Sequence, residues 1–186
     1  MRTLIVTEFV TLDGVMEAPG GEPTHPHSGW VSDYFGDEIG ATKQQEVFDA
    51  EILLVGRVTY ESFAGAWPTY EGEMADRMNS MPKVVVSTTL ATPEWTNTRV
   101  LEGDAIEGVR ALKAEDGGPI LVAGSGTLVH ALLDNDLVDE LRLMVFPVTI
   151  GDGLRVFSRT RTKRPWTLAS SEAFPLGVRV ETYRPA

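Results

Sequence analysis

The residues best placed to do chemistry stand in two glycine turns, Gly-Ser-Gly at 124–126 and Gly-Arg-Val-Thr at 56–59. Each turn directly follows a short apolar run and precedes a predicted helix. Where a turn opens a helix, unpaired backbone N–H groups and the positive end of the helix dipole attract phosphate. The guanidinium of Arg57 and the hydroxyl of Thr59 add further donors for a phosphate oxygen. These turns therefore indicate an anion site.

Neither turn carries a complete phosphate-binding motif. The dinucleotide fingerprint needs a third glycine at position 129, where Val129 stands, and a P-loop needs a lysine after its glycines. Ser125 also lacks the flanking glycines of a nucleophile elbow, which disfavours an esterase. The two turns together are more informative than either alone. The carboxyl ends of parallel strands meet at one edge of a sheet, so both turns can border one crevice.

Other candidate groups are weaker. His25 and His27 resemble a metal pair, but the third histidine, His130, is distant in sequence and the chain has no cysteine, so we expect no metal site. Asp13 precedes Gly14 and is the best available candidate for a proton donor, although a turn residue explains it equally well.

Alternating strands and helices must position these turns. Apolar runs predict strands at 3–10, 52–55, 83–87 and 120–123, and a helix ending near Asp49 has Phe35, Ile39 and Val47 on one face. After Asp139 the apolar period changes to two, and a hairpin is predicted from strands at 166–173 and 177–184. Together these patterns predict an α/β fold: a mostly parallel central sheet flanked by helices, with a C-terminal antiparallel hairpin. A flavodoxin-like fold without the hairpin is the alternative.

Composition limits the classes of partner. The 186 residues fit one domain, 1–186, and 16 basic against 27 acidic residues give a net charge of −11. So acidic a chain has no electrostatic reason to bind nucleic acid or an anionic membrane. The apolar run at 4–6 is too short for a signal peptide. We expect a cytoplasmic protein whose partner is a small molecule.

The segments together resemble the dihydrofolate reductase-like superfamily. The likeness is closer to the reductase domain of riboflavin biosynthesis and its stand-alone bacterial relatives. It covers nearly the whole chain and rests on five segments in the family's order. These segments are Thr11-Leu12-Asp13-Gly14, Leu54 to Glu61, Val84 to Thr88, Val122 to Leu128, and Asp139 to Gly153.

The resemblance implies an NADPH-dependent reductase that forms a homodimer. It places Asp13, as a catalytic candidate, and Trp30 beside the nicotinamide and substrate. The other residues that it assigns bind the cofactor: Gly56, Arg57 and Thr59 its phosphates, Ser87 and Thr88 its 2′-phosphate, and Gly124, Ser125, Gly126, Thr127 and Leu128 its pyrophosphate.

The implied substrate is 5-amino-6-(5-phosphoribosylamino)uracil, and the sequence raises an objection to it. Residues 3–42 contain no lysine or arginine but several carboxylates, in the stretch that the family uses for substrate. If one carboxylate faces the pocket, the site suits a heterocycle with N–H donors, such as a pterin. A dihydrofolate-type reductase and a non-catalytic nucleotide-binding relative therefore stay open as alternatives.

Overall fold

The structure is a computed structural model that describes residues 1–157 and 162–186. Within these residues, eight strands and five helices follow one another along the chain. They are β1 (Leu4–Thr11), α1 (Asp37–Asp49), β2 (Ile52–Gly56), α2 (Arg57–Ala66), α3 (Glu73–Ser80), β3 (Lys83–Val86), β4 (Thr98–Val100), α4 (Ala105–Ala114), β5 (Ile120–Ala123), α5 (Gly126–Asp134), β6 (Glu140–Phe146), β7 (Trp166–Ala173) and β8 (Arg179–Pro185).

All eight strands form one sheet in the order β4-β3-β2-β5-β1-β6-β8-β7. The strands from β4 to β6 are parallel, whereas β8 pairs antiparallel with both β6 and β7. The predicted α/β class with a C-terminal antiparallel pair is confirmed, and the flavodoxin-like alternative is excluded.

Helices cover both faces of the sheet, which is why its central strands are continuous apolar runs. Val109 of α4 and Leu132 of α5 pack on one face, where Val6 of β1 also lies. Val47 of α1 and Tyr60 of α2 pack on the other face, against Leu53 of β2. Among the described residues, no helix is long and apolar enough to cross a membrane.

Local predictions differ from the structure mainly at the ends of elements. Asp104 caps α4, accepting hydrogen bonds from the backbone N–H groups of Ile106 and Glu107 at 3.0 Å. α1 begins at Asp37 with Gly36 as its cap, so Phe35, which the sequence placed on the face of this helix, precedes it.

Candidate functional site

The two glycine turns lie side by side and are hydrogen-bonded to each other. The backbone N–H of Gly56 donates to Ser125 Oγ at 2.9 Å, and the backbone N–H of Ser125 donates to Thr59 Oγ1 at 2.9 Å. Adjacent parallel pairing of β2 and β5 produces this arrangement, because it brings the carboxyl ends of both strands to one edge. The two turns therefore lie together at one edge of the sheet, as their positions in the sequence suggested.

The backbone of the second turn is left-handed at two successive residues. Gly124 has φ +61° and Ser125 has φ +63°. A side chain at Gly124 would also come within 3.2 Å of Thr59, so the backbone and the close contact both favour glycine. The first helical hydrogen bond of α5 runs from Val129 N–H to the Ser125 carbonyl at 2.9 Å. The N–H groups of residues 126–128 precede that bond and are the free donors of a helix N-terminus.

Three other predicted cofactor residues stand at the same edge. Arg57 begins α2, is 43 % exposed, and pairs with Glu61 one turn later at 2.8 Å. Ser87 directly follows β3, the strand next to β2, and its Oγ accepts the backbone N–H of Leu90 at 2.9 Å. Thr88 is exposed beside it. Two helix N-termini, a guanidinium and hydroxyls thus share one edge, and this set of donors fits a molecule that carries several phosphates.

Asp13 connects two loops. Its carboxylate accepts hydrogen bonds from the Thr11 hydroxyl at 2.5 Å and from the backbone N–H of Gly151 at 2.7 Å. The Thr11 hydrogen bond, followed by the backbone donors, lowers the pKa of Asp13. The contacts favour an anchoring role, while the catalytic role that the resemblance implies for Asp13 stays a prediction.

Trp30, the predicted substrate residue, is buried. Its indole N–H donates to the Glu17 carbonyl at 2.8 Å, and its ring stands edge-on to Phe146 with centroids 5.4 Å apart. Trp30 therefore fixes the long loop after β1 against β6, and its contact with substrate stays a prediction.

Three of the seven carboxylates in residues 3–42 accept hydrogen bonds from the backbone of loops. Besides Asp13, Glu17 accepts the N–H of Leu154 at 2.8 Å and Glu22 accepts the N–H of Gly20 at 3.0 Å. The charges of these three residues therefore shape loops.

Glu8 is a functional candidate that the sequence reasoning missed. It is 3 % exposed, and its Oε1 has no hydrogen-bond partner among the described residues. Burial raises the pKa of Glu8 well above its ordinary value, despite the opposing effects of the Lys43 charge and the Gly124 backbone N–H. The sequence feature that could have identified Glu8 is that it is the single charged residue in the apolar pattern of β1.

A second missed group lies on the other face of β1. Lys43 Nζ donates to Thr7 Oγ1 and to Glu46 Oε2, both at 2.6 Å, and the Thr7 hydroxyl donates to Glu46 Oε2 at 2.8 Å. Lys43 stands four residues after Ile39 and four before Val47, the two residues that the sequence placed on the inner face of α1. Helical spacing therefore contained the signal, but lysine and glutamate are ordinarily surface residues.

The architecture and the paired turns define a class. This is an α/β domain of dihydrofolate reductase-like fold, with the two glycine turns at the carboxyl ends of β2 and β5. Residues 2–180 match the family described as the RibD C-terminal domain, and the chain belongs to that family.

Individual relatives agree with this assignment. The chain is 28 % identical over 183 residues to the uncharacterized protein YyaP of Bacillus subtilis (strain 168), covering 95 % of this chain and 92 % of YyaP. It is 26 % identical over 188 residues to the uncharacterized protein YwjB of the same strain, covering 98 % of each.

Two solved structures share the fold. A putative riboflavin biosynthesis protein from Shewanella sp. PV-4 aligns with a TM-score of 0.76 at 21 % identity, covering 100 % of this chain and 99 % of the other. A diaminohydroxyphosphoribosylaminopyrimidine deaminase/5-amino-6-(5-phosphoribosylamino)uracil reductase from Thermotoga maritima aligns with a TM-score of 0.69 at 16 % identity. All of this chain is covered, and it spans 57 % of the Thermotoga chain.

Proposed function

We propose that the protein is an NADPH-dependent oxidoreductase that reduces a small carbonyl or imine compound. The observation that carries this proposal is the direct hydrogen bonding of the two glycine turns, which sets two helix N-termini side by side at one edge of the sheet. Membership of a reductase-domain family supports the same reading.

Each end of the crevice has a role in holding the cofactor. The free N–H groups of residues 126–128 and the start of α2 bind the pyrophosphate, and Arg57 contributes its guanidinium. Ser87 and Thr88 border the 2′-phosphate that distinguishes NADPH from NADH. When bound, NADPH supplies a hydride, so the protein's contribution is to orient the reactants and exclude water.

Calorimetric titration with NADPH and with NADH tests the cofactor. We expect NADPH to bind more tightly, and binding of neither nucleotide would overturn the proposal. Arg57→Ala should weaken NADPH by about 1.5–3 kcal/mol, the usual contribution of a charge-assisted hydrogen bond. Arg110→Ala is the matched control, because Arg110 is an equally exposed helical arginine paired with a glutamate on its own helix. An unchanged affinity for NADPH in Arg57→Ala would mean that Arg57 is an ordinary surface charge with no role in binding the cofactor.

The substrate is tested by the loss of NADPH absorbance with three kinds of compound. These are the phosphoribosylaminouracil of riboflavin synthesis, dihydrofolate, and simple carbonyl compounds. The riboflavin-type reductase that the resemblance implies predicts turnover of the first. Turnover of dihydrofolate alone would favour the pterin alternative. Nucleotide binding without turnover of any compound would favour a non-catalytic relative.

We further propose a homodimer that uses the outer hairpin. β7 is the edge strand of the sheet, and each of its residues after Trp166 is exposed. Among them is the apolar Leu168, at 52 % exposure. A second copy of this chain, presenting the same surface, is the expected occupant. Light scattering should give a dimeric mass at micromolar concentration and a lower mass for Leu168→Glu. A monomeric wild type would contradict the proposal.

A further inference from the structure

The inner face of α1 carries two charges at positions where an amphipathic helix carries apolar residues. Ile39, Val47 and Ala50 are 2–6 % exposed and pack into the core, and Lys43 and Glu46 share their face of the helix. A break in the apolar pattern at inward positions is typical of a functional site.

The lysine is held firmly but keeps a free donor. Thr7 and Glu46 accept two of its three N–H groups, and the third has no hydrogen-bond partner within the described parts of the chain. Nζ also lies 5.0 Å from the centre of the Phe9 ring. The Lys43 side chain is 17 % exposed, so it is not fully sealed from solvent.

The position of Lys43 relates it to the crevice. Thr7 pairs across the sheet with Ala123, the residue directly before Gly124. Lys43 therefore stands over the strand next to the second glycine turn, on the face of the sheet that α2 also covers. Phe9 and the half-exposed Phe35 pack edge to face with ring centroids 6.1 Å apart, and they make this region apolar.

We propose that Lys43 contacts the reacting group of the substrate and protonates it. The inference rests on the proposed reductase function and names the substrate class: a compound whose reducible bond is C=O or C=N. Thr7 and Glu46 are positioning residues that hold the ammonium group. Since Glu46 neutralises Lys43, the site suits an uncharged acceptor atom better than an anionic group.

The proton transfer balances with the hydride that a reduced nicotinamide supplies. The carbon of the C=O or C=N bond gains the hydride, and the π electron pair moves to the oxygen or nitrogen. That atom takes a proton from Lys43 Nζ, giving an alcohol or an amine and NADP⁺. Neutral Lys43 regains its proton from water at its exposed edge.

Nucleotide binding tests this position without a known substrate. An ammonium group beside the nicotinamide repels the cationic ring of NADP⁺ but not the neutral ring of NADPH. Lys43→Met removes the positive charge and leaves the Glu46 carboxylate in place, so calorimetry should show the affinity for NADP⁺ rising on the order of tenfold relative to that for NADPH. Glu46→Gln should shift the ratio in the opposite direction. Lys43→Arg and the remote Arg110→Met should leave it unchanged.

The outcomes separate the two proposals. A wild type that binds neither nucleotide overturns the reductase function and this inference with it. If the wild type binds NADPH and both Lys43→Met and Glu46→Gln keep the wild-type ratio of NADP⁺ to NADPH affinity, only the inference about Lys43 is overturned. If Lys43→Met does not fold, the ratio of NADP⁺ to NADPH affinity in Glu46→Gln still tests the inference.

Turnover then tests the proton transfer itself. For the compound that the wild type reduces fastest, Lys43→Arg should lower kcat by about two orders of magnitude, the usual contribution of a general acid, while NADPH affinity is kept. An equal kcat would overturn the protonating role.

Discussion

Two lysines are largely withdrawn from solvent on the same face of the sheet, and their surroundings differ. Lys83 begins β3 and is 1 % exposed, and its Nζ donates to the carbonyls of Asn79, Met81 and Thr96 at 2.8–3.0 Å. It also lies 4.2 Å from the centre of the Trp95 ring. Lys43 has only two acceptors and retains some exposure.

The difference distinguishes a structural lysine from a chemical one. All three donors of Lys83 bind backbone carbonyls from the end of α3, the turn before β3 and the loop before β4, so it joins three segments and has no donor left for a ligand. Lys43 binds side chains that can rearrange, and it keeps a donor. Burial alone therefore does not identify a functional lysine, whereas an unused donor beside a crevice does.

Of the substitutions at the two lysines, Lys83→Met should have the largest effect on the free energy of unfolding. The variant keeps the volume but leaves three carbonyls without their donor, and we expect a loss of about 3 kcal/mol in the free energy of unfolding. Urea denaturation measures it. NADPH affinity should stay the same, because Lys83 is at the amino end of β3 and the crevice is at the carboxyl ends. A loss below about 1 kcal/mol would contradict the structural role.

The sequence was enough to predict each glycine turn but not the contacts between the two turns. The Gly124 turn could be predicted because glycines directly after an apolar run show both a strand end and a helix start. The hydrogen bonds between Ser125, Gly56 and Thr59 could not, because they depend on which strands become neighbours, and the sequence does not state that β5 lies between β1 and β2.

The lysine cluster and one strand were missed for other reasons. Lys43 has the spacing of a core residue but a side chain that normally marks the surface, so pattern and residue type disagreed. β4 is only three residues long, and Thr98, Arg99 and Val100 remain partly or fully exposed, so it has no apolar run to detect.

A pH titration sharpens the description of Lys83. Burial, with a smaller contribution from the charge of Arg77, lowers the pKa of Lys83 from 10.5 to about 8. Between these two values the unfolded chain binds a proton that the folded chain does not, so stability rises with pH. We expect the wild type to gain about 1–2 kcal/mol over Lys83→Met from pH 8 to 9.5. Parallel curves for the two proteins would show that the ammonium group is not strained by burial.

The smallest expected effect is on the stability of Lys43→Met. Glu46 keeps the hydroxyl of Thr7 and the guanidinium of Arg142, whose Nη1 lies 3.6 Å from Glu46 Oε1, so its charge is not left alone. Methionine also fills the volume of the lysine stem against Phe9. We therefore expect a loss of no more than about 1 kcal/mol, typical of a partly exposed ion pair. The measurement is urea denaturation beside Lys83→Met. A loss as large as that of Lys83→Met would mean that both lysines serve the fold, and the distinction drawn from their unused donors would fail.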